Sequence, residues 1–136
     1  MVCLYCGSET KVTNSRRQKR NNQIWRRRQC LACGAVFTTH EAAELESALS
    51  INQDGRLRPF MPDLLLKELM LALKHRPDAP GAAREVLGTI VHKLLALPQK
   101  PVFSTEDIAS VTSDVLKRFD KRAHLRYLAD HPLLPS

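Results

Sequence analysis

Cys3-Leu4-Tyr5-Cys6 and Cys30-Leu31-Ala32-Cys33 decide how this chain begins to fold, and they hold its only cysteines in 136 residues. A loop of two residues lets both sulfurs of a pair face one cation, and two such pairs complete a four-thiolate zinc site with Zn–S bonds of about 2.3 Å. The 23 residues between the pairs slightly exceed the usual spacing, which predicts a hairpin with a generous tip. One zinc per chain, held by Cys3, Cys6, Cys30 and Cys33, is the expectation.

Two other uses of the cysteines fit less well. A pair of disulfides requires an oxidising compartment and a targeting segment, whereas Met1-Val2-Cys3 enters the site at once, without a charged and then apolar leader. A redox CxxC works as a single pair beside a βαβ unit, and two symmetric pairs do not match that arrangement.

The hydrophobic fraction of 43% and charged fraction of 26% are those of a globular chain. No apolar run approaches the roughly 20 residues that a membrane-spanning helix needs, so the expectation is a soluble cytoplasmic protein. The formal net charge of +7 is unevenly placed. Lys11, Arg16, Arg17, Lys19, Arg20, Arg26, Arg27 and Arg28 face only Glu9 within residues 1–40, while the remainder is balanced. All the positive excess therefore sits with the cysteines, which is the electrostatic footprint of a nucleic-acid-binding module joined to a neutral domain.

Turn signals and periodicity predict an α+β protein in two parts, 1–46 and 47–136, with the boundary near residues 42–48. Lys11-Val12-Thr13, Ile24 to Arg28 and Ala35 to Thr39 read as the three strands of a zinc ribbon. Ser15 to Gln23 reads as the loop between the first two, and His40 to Ser47 as a linker or short helical turn. Ala48 to Ile51 and Arg56 to Phe60 flank Asp54-Gly55, a strong hairpin signal. Four helical segments follow. Asp63 to Arg76 stops at Pro77 and Ala82 to Leu97 at Pro98. A third opens on the capping spacing Ser104-x-x-Asp107 and runs through Phe119, and Lys121 to Asp130 ends before Pro132.

Arg26, Arg27 and Arg28 adjoin the ligand Cys30, so a bound metal would fix the backbone from which they project. Side chains alternate along a strand, placing Arg26 and Arg28 on one face and Arg27 on the other. Guanidinium forks suit phosphates and guanine edges. Charge runs commonly do no more than solvate a surface, but here a second cluster, Arg16-Arg17-x-Lys19-Arg20, lies nearby and carboxylates do not interleave. Duplex DNA or RNA is the expected partner. Trp25 has the chemistry to stack on a base, although a lone Trp in a small ribbon ordinarily belongs to its core. His40 is read as a surface residue, since four thiolates already complete the tetrahedron.

Cys3-x2-Cys6-Gly7, Asn14-Ser15-Arg16, Ile24-x-Arg26-Arg27-Arg28-x-Cys30-x2-Cys33 and Phe37-Thr38-Thr39-x-Glu41 resemble the zinc ribbon of the NrdR family, bacterial repressors of ribonucleotide reductase genes. Asp54-Gly55-Arg56, Pro59-Phe60, Arg76-Pro77, Leu116-x2-Phe119-Asp120 and Arg126-Tyr127 are similar to landmarks of the family's ATP-cone domain. The resemblance implies a zinc-dependent repressor that binds paired operator boxes in double-stranded DNA as a homo-oligomer. It also implies an ATP-cone-like domain, a β-hairpin with a four-helix bundle, that senses ATP or dATP. Asp54, Gly55, Arg56 and Lys67 are the nucleotide-site candidates on that basis.

The chain departs from the family where charge matters. The family hairpin typically reads Val-Lys-Arg-Asp-Gly-Arg, but Asn52 and Gln53 stand at its two basic positions, and Leu64 matches a lysine expected soon after the Pro-Phe pair. Each replacement removes a charge-assisted hydrogen bond that a triphosphate would accept. An alternative reading follows, in which the second domain has lost nucleotide binding and serves oligomerisation or partner binding. Neither a P-loop nor a catalytic cluster outside the cysteines occurs in the sequence, so no enzymatic activity is expected.

Overall fold

Three antiparallel strands make up the first unit: β1 (Thr10–Gln18), β2 (Gln23–Cys30) and β3 (Val36–Glu41), in the order β1-β2-β3. The computed structural model describes residues 1–131, which form two compact units, Met1–Ala43 and a second beginning at Glu44. Both strands of the first hairpin are longer than sequence polarity indicates. Arg16 pairs with Trp25 and Arg17 with Ile24, so Arg16 and Arg17 lie on β1 rather than in a loop from Ser15 to Gln23. The connection is only Lys19 to Asn22, where Asn22 takes φ 51°, a left-handed conformation that asparagine tolerates well. Polarity marks a loop only where a strand must bury one face, and most of β1 is exposed.

A bulge between Val12 and Asn14 shifts the β1–β2 register by one residue. Such a bulge resets which side chains share a face. Asn14 then stands beside Arg27, and the Thr13 hydroxyl donates to the Arg27 carbonyl at 3.2 Å. The buried residues of this unit are Cys3, Cys30 and Phe37, with Ala35 packed against them. Trp25 is outside that cluster, half-buried, with the Arg16 guanidinium 5.8 Å from its ring centroid.

The second unit opens with a single helical turn, α1 (Leu45–Ala48), and the hairpin of β4 (Ser50–Gln53) and β5 (Arg56–Pro59). Asp54 at φ 53° and Gly55 at φ 83° are its two-residue turn, the positive-φ pair that matches the right-handed twist of the strands. The Asn52 side chain accepts from the Gly55 N–H at 3.0 Å. A third strand, β6 (Val102–Ser104), lies parallel to β4 on its other side, giving the order β5-β4-β6.

Four longer helices complete this unit: α2 (Pro62–Ala72), α3 (Ala79–Leu95), α4 (Thr105–Phe119) and α5 (Lys121–Asp130). Consecutive helices pack together and α5 returns to α2. The helix expected to reach Arg76 ends at Ala72, because Pro77 disfavours helical backbone at Arg76 and the chain tightens into turns, with Arg76 N–H bonding to Leu73 O at 2.9 Å. By contrast, α3 starts three residues earlier than expected and accommodates Pro80 in its first turn, where a missing N–H costs nothing.

At the head of α4 the capping box is complete. Ser104 Oγ accepts from Asp107 N–H at 3.0 Å, and Asp107 Oδ2 accepts from Ser104 N–H at 2.9 Å. Phe60, Leu69, Leu73, Ile90, Phe103 and Leu116 are the fully buried centre of the core. Phe119 instead sits at its rim under the Arg76 guanidinium, 5.1 Å from the ring centroid. None of the described helices is long and apolar enough to cross a membrane.

Candidate metal centre and nucleic-acid interface

The two cysteine loops repeat one local geometry. Gly7 and Gly34, each immediately after the second cysteine of its pair, both take φ +76°, where a side chain would strain the backbone. In the first loop Tyr5 N–H points at Cys3 Sγ, and in the second Ala32 N–H points at Cys30 Sγ, each at 3.4 Å. Cys33 N–H also points at Cys30 Sγ at 3.4 Å. Amide donors aimed at sulfur favour the thiolate, the form that binds metal.

All four sulfurs lie within 4.8 Å of one another. Cys3 Sγ is 3.7 Å from Cys33 Sγ, and Cys6 Sγ is 3.4 Å from Cys30 Sγ. These separations suit a tetrahedron with Zn–S bonds of about 2.3 Å, whose edges are about 3.8 Å, and exceed a disulfide bond. Cys3 and Cys30 are buried while Cys6 and Cys33 are exposed. Side-chain and backbone hydrogen bonds from Ser8 hold the Cys6 thiol down to about 6. At Cys33 the Ala35 backbone favours the thiolate, but the Cys30 sulfur, burial and the other two sulfurs outweigh it and push that thiol up to about 11. Four thiolates this close repel one another, and a divalent cation relieves the repulsion. The donor set, spacing and N–H donors fit zinc.

The arginines divide between the two faces of the sheet as strand alternation predicts. On one face Arg26 Nη1 donates to Glu41 at 2.8 Å, and Arg28 reaches Thr39 Oγ1 at 3.2 Å and Thr10 Oγ1 at 3.4 Å. On the other, Arg27 Nη1 donates to Thr38 Oγ1 at 2.8 Å, and Arg16 lies over Trp25. Arg17 pairs with Ile24 on β2, two residues before Arg26 and on its face. Thr38, Thr39 and Glu41 thus aim the guanidinium groups. Sequence reasoning does not assign them this role, although the run Phe37-Thr38-Thr39 opposite Arg26 to Arg28 is the available signal, since register alone pairs those positions.

Residues 1–41 match the family model described as the transcriptional repressor NrdR-like N-terminal domain. A protein of Thermus thermophilus named transcriptional repressor NrdR is 37% identical over 128 residues, covering 93% of this chain and 81% of that protein. A protein of the same name in Thermomicrobium roseum is also 37% identical over 128 residues, covering 93% and 79%. The chain belongs to the NrdR family.

The nucleotide that the NrdR resemblance implies meets a poor set of residues. Asp54 and Gly55 are consumed by the turn of the hairpin, Arg56 is exposed on β5, and Lys67 is exposed on α2. A cavity of about 430 Å³ does lie against this hairpin, but none of those four residues lines it. Its wall includes Leu64, at the position where a lysine is expected, and Arg58 is its one arginine, beside Glu68. A triphosphate carries several negative charges that must be met by donors and cations, and these residues do not supply them. Arg58, Glu68, Tyr127 and His131, which line the cavity, escape a reading of the sequence because they come from three elements far apart in the chain.

Proposed function

We propose that this NrdR-family chain is a zinc-dependent repressor that binds duplex operator DNA through its ribbon, as a homo-oligomer, and controls ribonucleotide reductase genes. Zinc would hold β2 by way of Cys30, and the arginines two to four residues upstream would meet phosphates and guanine edges. The observation that carries this reading is the placement of Arg16, Arg17, Arg26, Arg27 and Arg28 on a ribbon whose faces are not covered by a hydrophobic core. Phosphate contacts position such a protein, and arginine forks on base edges supply specificity. Family membership and the relatives' names support repression rather than catalysis.

The second domain is proposed to serve oligomerisation, with its response to ATP or dATP weakened by Asn52, Gln53 and Leu64. Fluorescence anisotropy tests the main reading. The zinc-loaded protein should bind duplex DNA from upstream of a ribonucleotide reductase gene more tightly than scrambled duplex or structured RNA of equal length, and chelation should abolish the preference. Equal affinity for all three, or operator binding that survives metal removal, would refute it.

A further inference from the structure

The cavity against the second unit's sheet has a consistent chemical character. Ile51 and Leu57 close it from the hairpin, Leu64 and Leu65 from α2, and Ile108 and Ala109 from α4. Its aromatic residues, Phe60 and Tyr127, are themselves nearly buried in the core, at 1% and 3% exposure. Tyr127 is stacked on His131 with ring centroids 4.0 Å apart and planes at 24°, and the His131 ring is fixed by a 2.9 Å bond from Nδ1–H to the Tyr127 carbonyl. Burial pushes the Tyr127 hydroxyl up to about 12, so the phenol stays uncharged.

The rim is open. Leu57 and Leu64 are 66% and 56% exposed, apolar surface that folding leaves in contact with water. A volume of about 430 Å³ lies within the range of about 300–1,000 Å³ of small-molecule sites, which are mostly apolar with a few polar groups that orient the ligand. Here Arg58, Glu68, Thr105 and His131 are the polar groups, and the one arginine is balanced by the one carboxylate. Electrostatics therefore selects against a polyanion, and an aromatic wall selects for a planar apolar body.

We propose that this cavity binds a small, uncharged molecule with a planar aromatic body, and that it does so in place of a nucleoside triphosphate.

N-phenyl-1-naphthylamine, which is neutral and brightens in apolar surroundings, provides the probe. Titrated into the zinc-loaded full chain, it should bind saturably at one site per chain. Ala109→Trp, which fills the cavity, should weaken binding by about tenfold or more, the loss expected from excluding one large apolar group. Leu64→Lys, at an exposed position that folding tolerates, should weaken it several-fold, and circular dichroism verifies that each variant is folded. Millimolar ATP or dATP should not displace the probe. Non-saturable binding, saturable binding unaffected by both variants, or displacement by micromolar ATP would overturn the proposal. So would loss of the probe as protein concentration rises in step with self-association, since a second copy would then cover the site. The titration contains no DNA, so its outcome is independent of operator recognition.

Discussion

Asp120 and His75 are 45 positions apart in sequence, yet Asp120 Oδ2 lies 3.0 Å from His75 Nε2. The other ring nitrogen, Nδ1, faces Arg126 Nη1 at 3.3 Å; arginine only donates, so Nδ1 accepts and Nε2–H is the proton given to Asp120. The same carboxylate oxygen accepts from Arg76 Nη1 at 3.1 Å, and its partner Oδ1 caps α5 by accepting from Ala123 N–H at 2.9 Å. One side chain thereby ties the segment after α2 to the junction of α4 and α5.

A pH dependence of stability follows. The Ala123 N–H, with His75 and Arg76, holds the Asp120 carboxyl down to about 2 from an ordinary 3.8. A carboxylate more acidic in the folded state stabilises that state above its unfolded value and loses the contribution as pH falls through the folded value. Asp120 should therefore contribute fully above about pH 4 and lose its contribution between about 3.8 and about 2. Asp120→Asn, which keeps the shape and a cap, should cost roughly 1 to 3 kcal/mol at neutral pH. Urea unfolding followed by circular dichroism should show that cost, and a shallower acid limb in the variant.

Metal removal should unfold the first unit and spare the second. The buried cluster of the ribbon is only Cys3, Cys30 and Phe37, too little apolar surface to fold a unit of this size, so zinc binding supplies the folding free energy, on the order of 10 kcal/mol or more. Metal analysis should return one zinc per chain, and Cys30→Ser should abolish it. Trp25 emission should shift towards that of a solvated indole on chelation, while the helical signal persists.

Replacing the arginines should separate their tasks. Arg26→Ala, Arg27→Ala and Arg28→Ala should each weaken operator binding, and every arginine–phosphate pairing so removed should flatten the slope of log affinity against log salt by about 0.9. A variant that instead changes preference among operator sequences marks a base contact. Glu41→Ala frees Arg26 from an exposed ion pair that contributes about 1 kcal/mol or less to stability, so it should leave folding unchanged and alter DNA binding alone.

Ser104→Ala should destabilise the second unit by about 0.5 to 2 kcal/mol, because it removes the cap hydrogen bond to Asp107 N–H at the head of α4. Thermal unfolding provides the measurement. Ser104→Asn, which can cap in the same way, should restore most of the loss.

The readable features were those set by local chemistry. The CxxC spacing, the Asp54-Gly55 turn, the Ser104 capping box and the alternation of Arg26, Arg27 and Arg28 each depend on residues a few positions apart, so the backbone geometry of one turn or one strand determines them. Tertiary structure alone decided what rests on distant partners. Strand β6 has only three residues, too few to carry a periodic signal, and exists because β4 offers it hydrogen bonds from 50 residues upstream. Arg16 and Arg17 look like loop residues until β2 supplies their pairing, and the bulge at Thr13 that sets their face is visible only in the register. The apolar cavity and the His75–Asp120 contact arise from packing among α2, α4, α5 and the sheet, where side chains unremarkable along the sequence become neighbours only when the core closes.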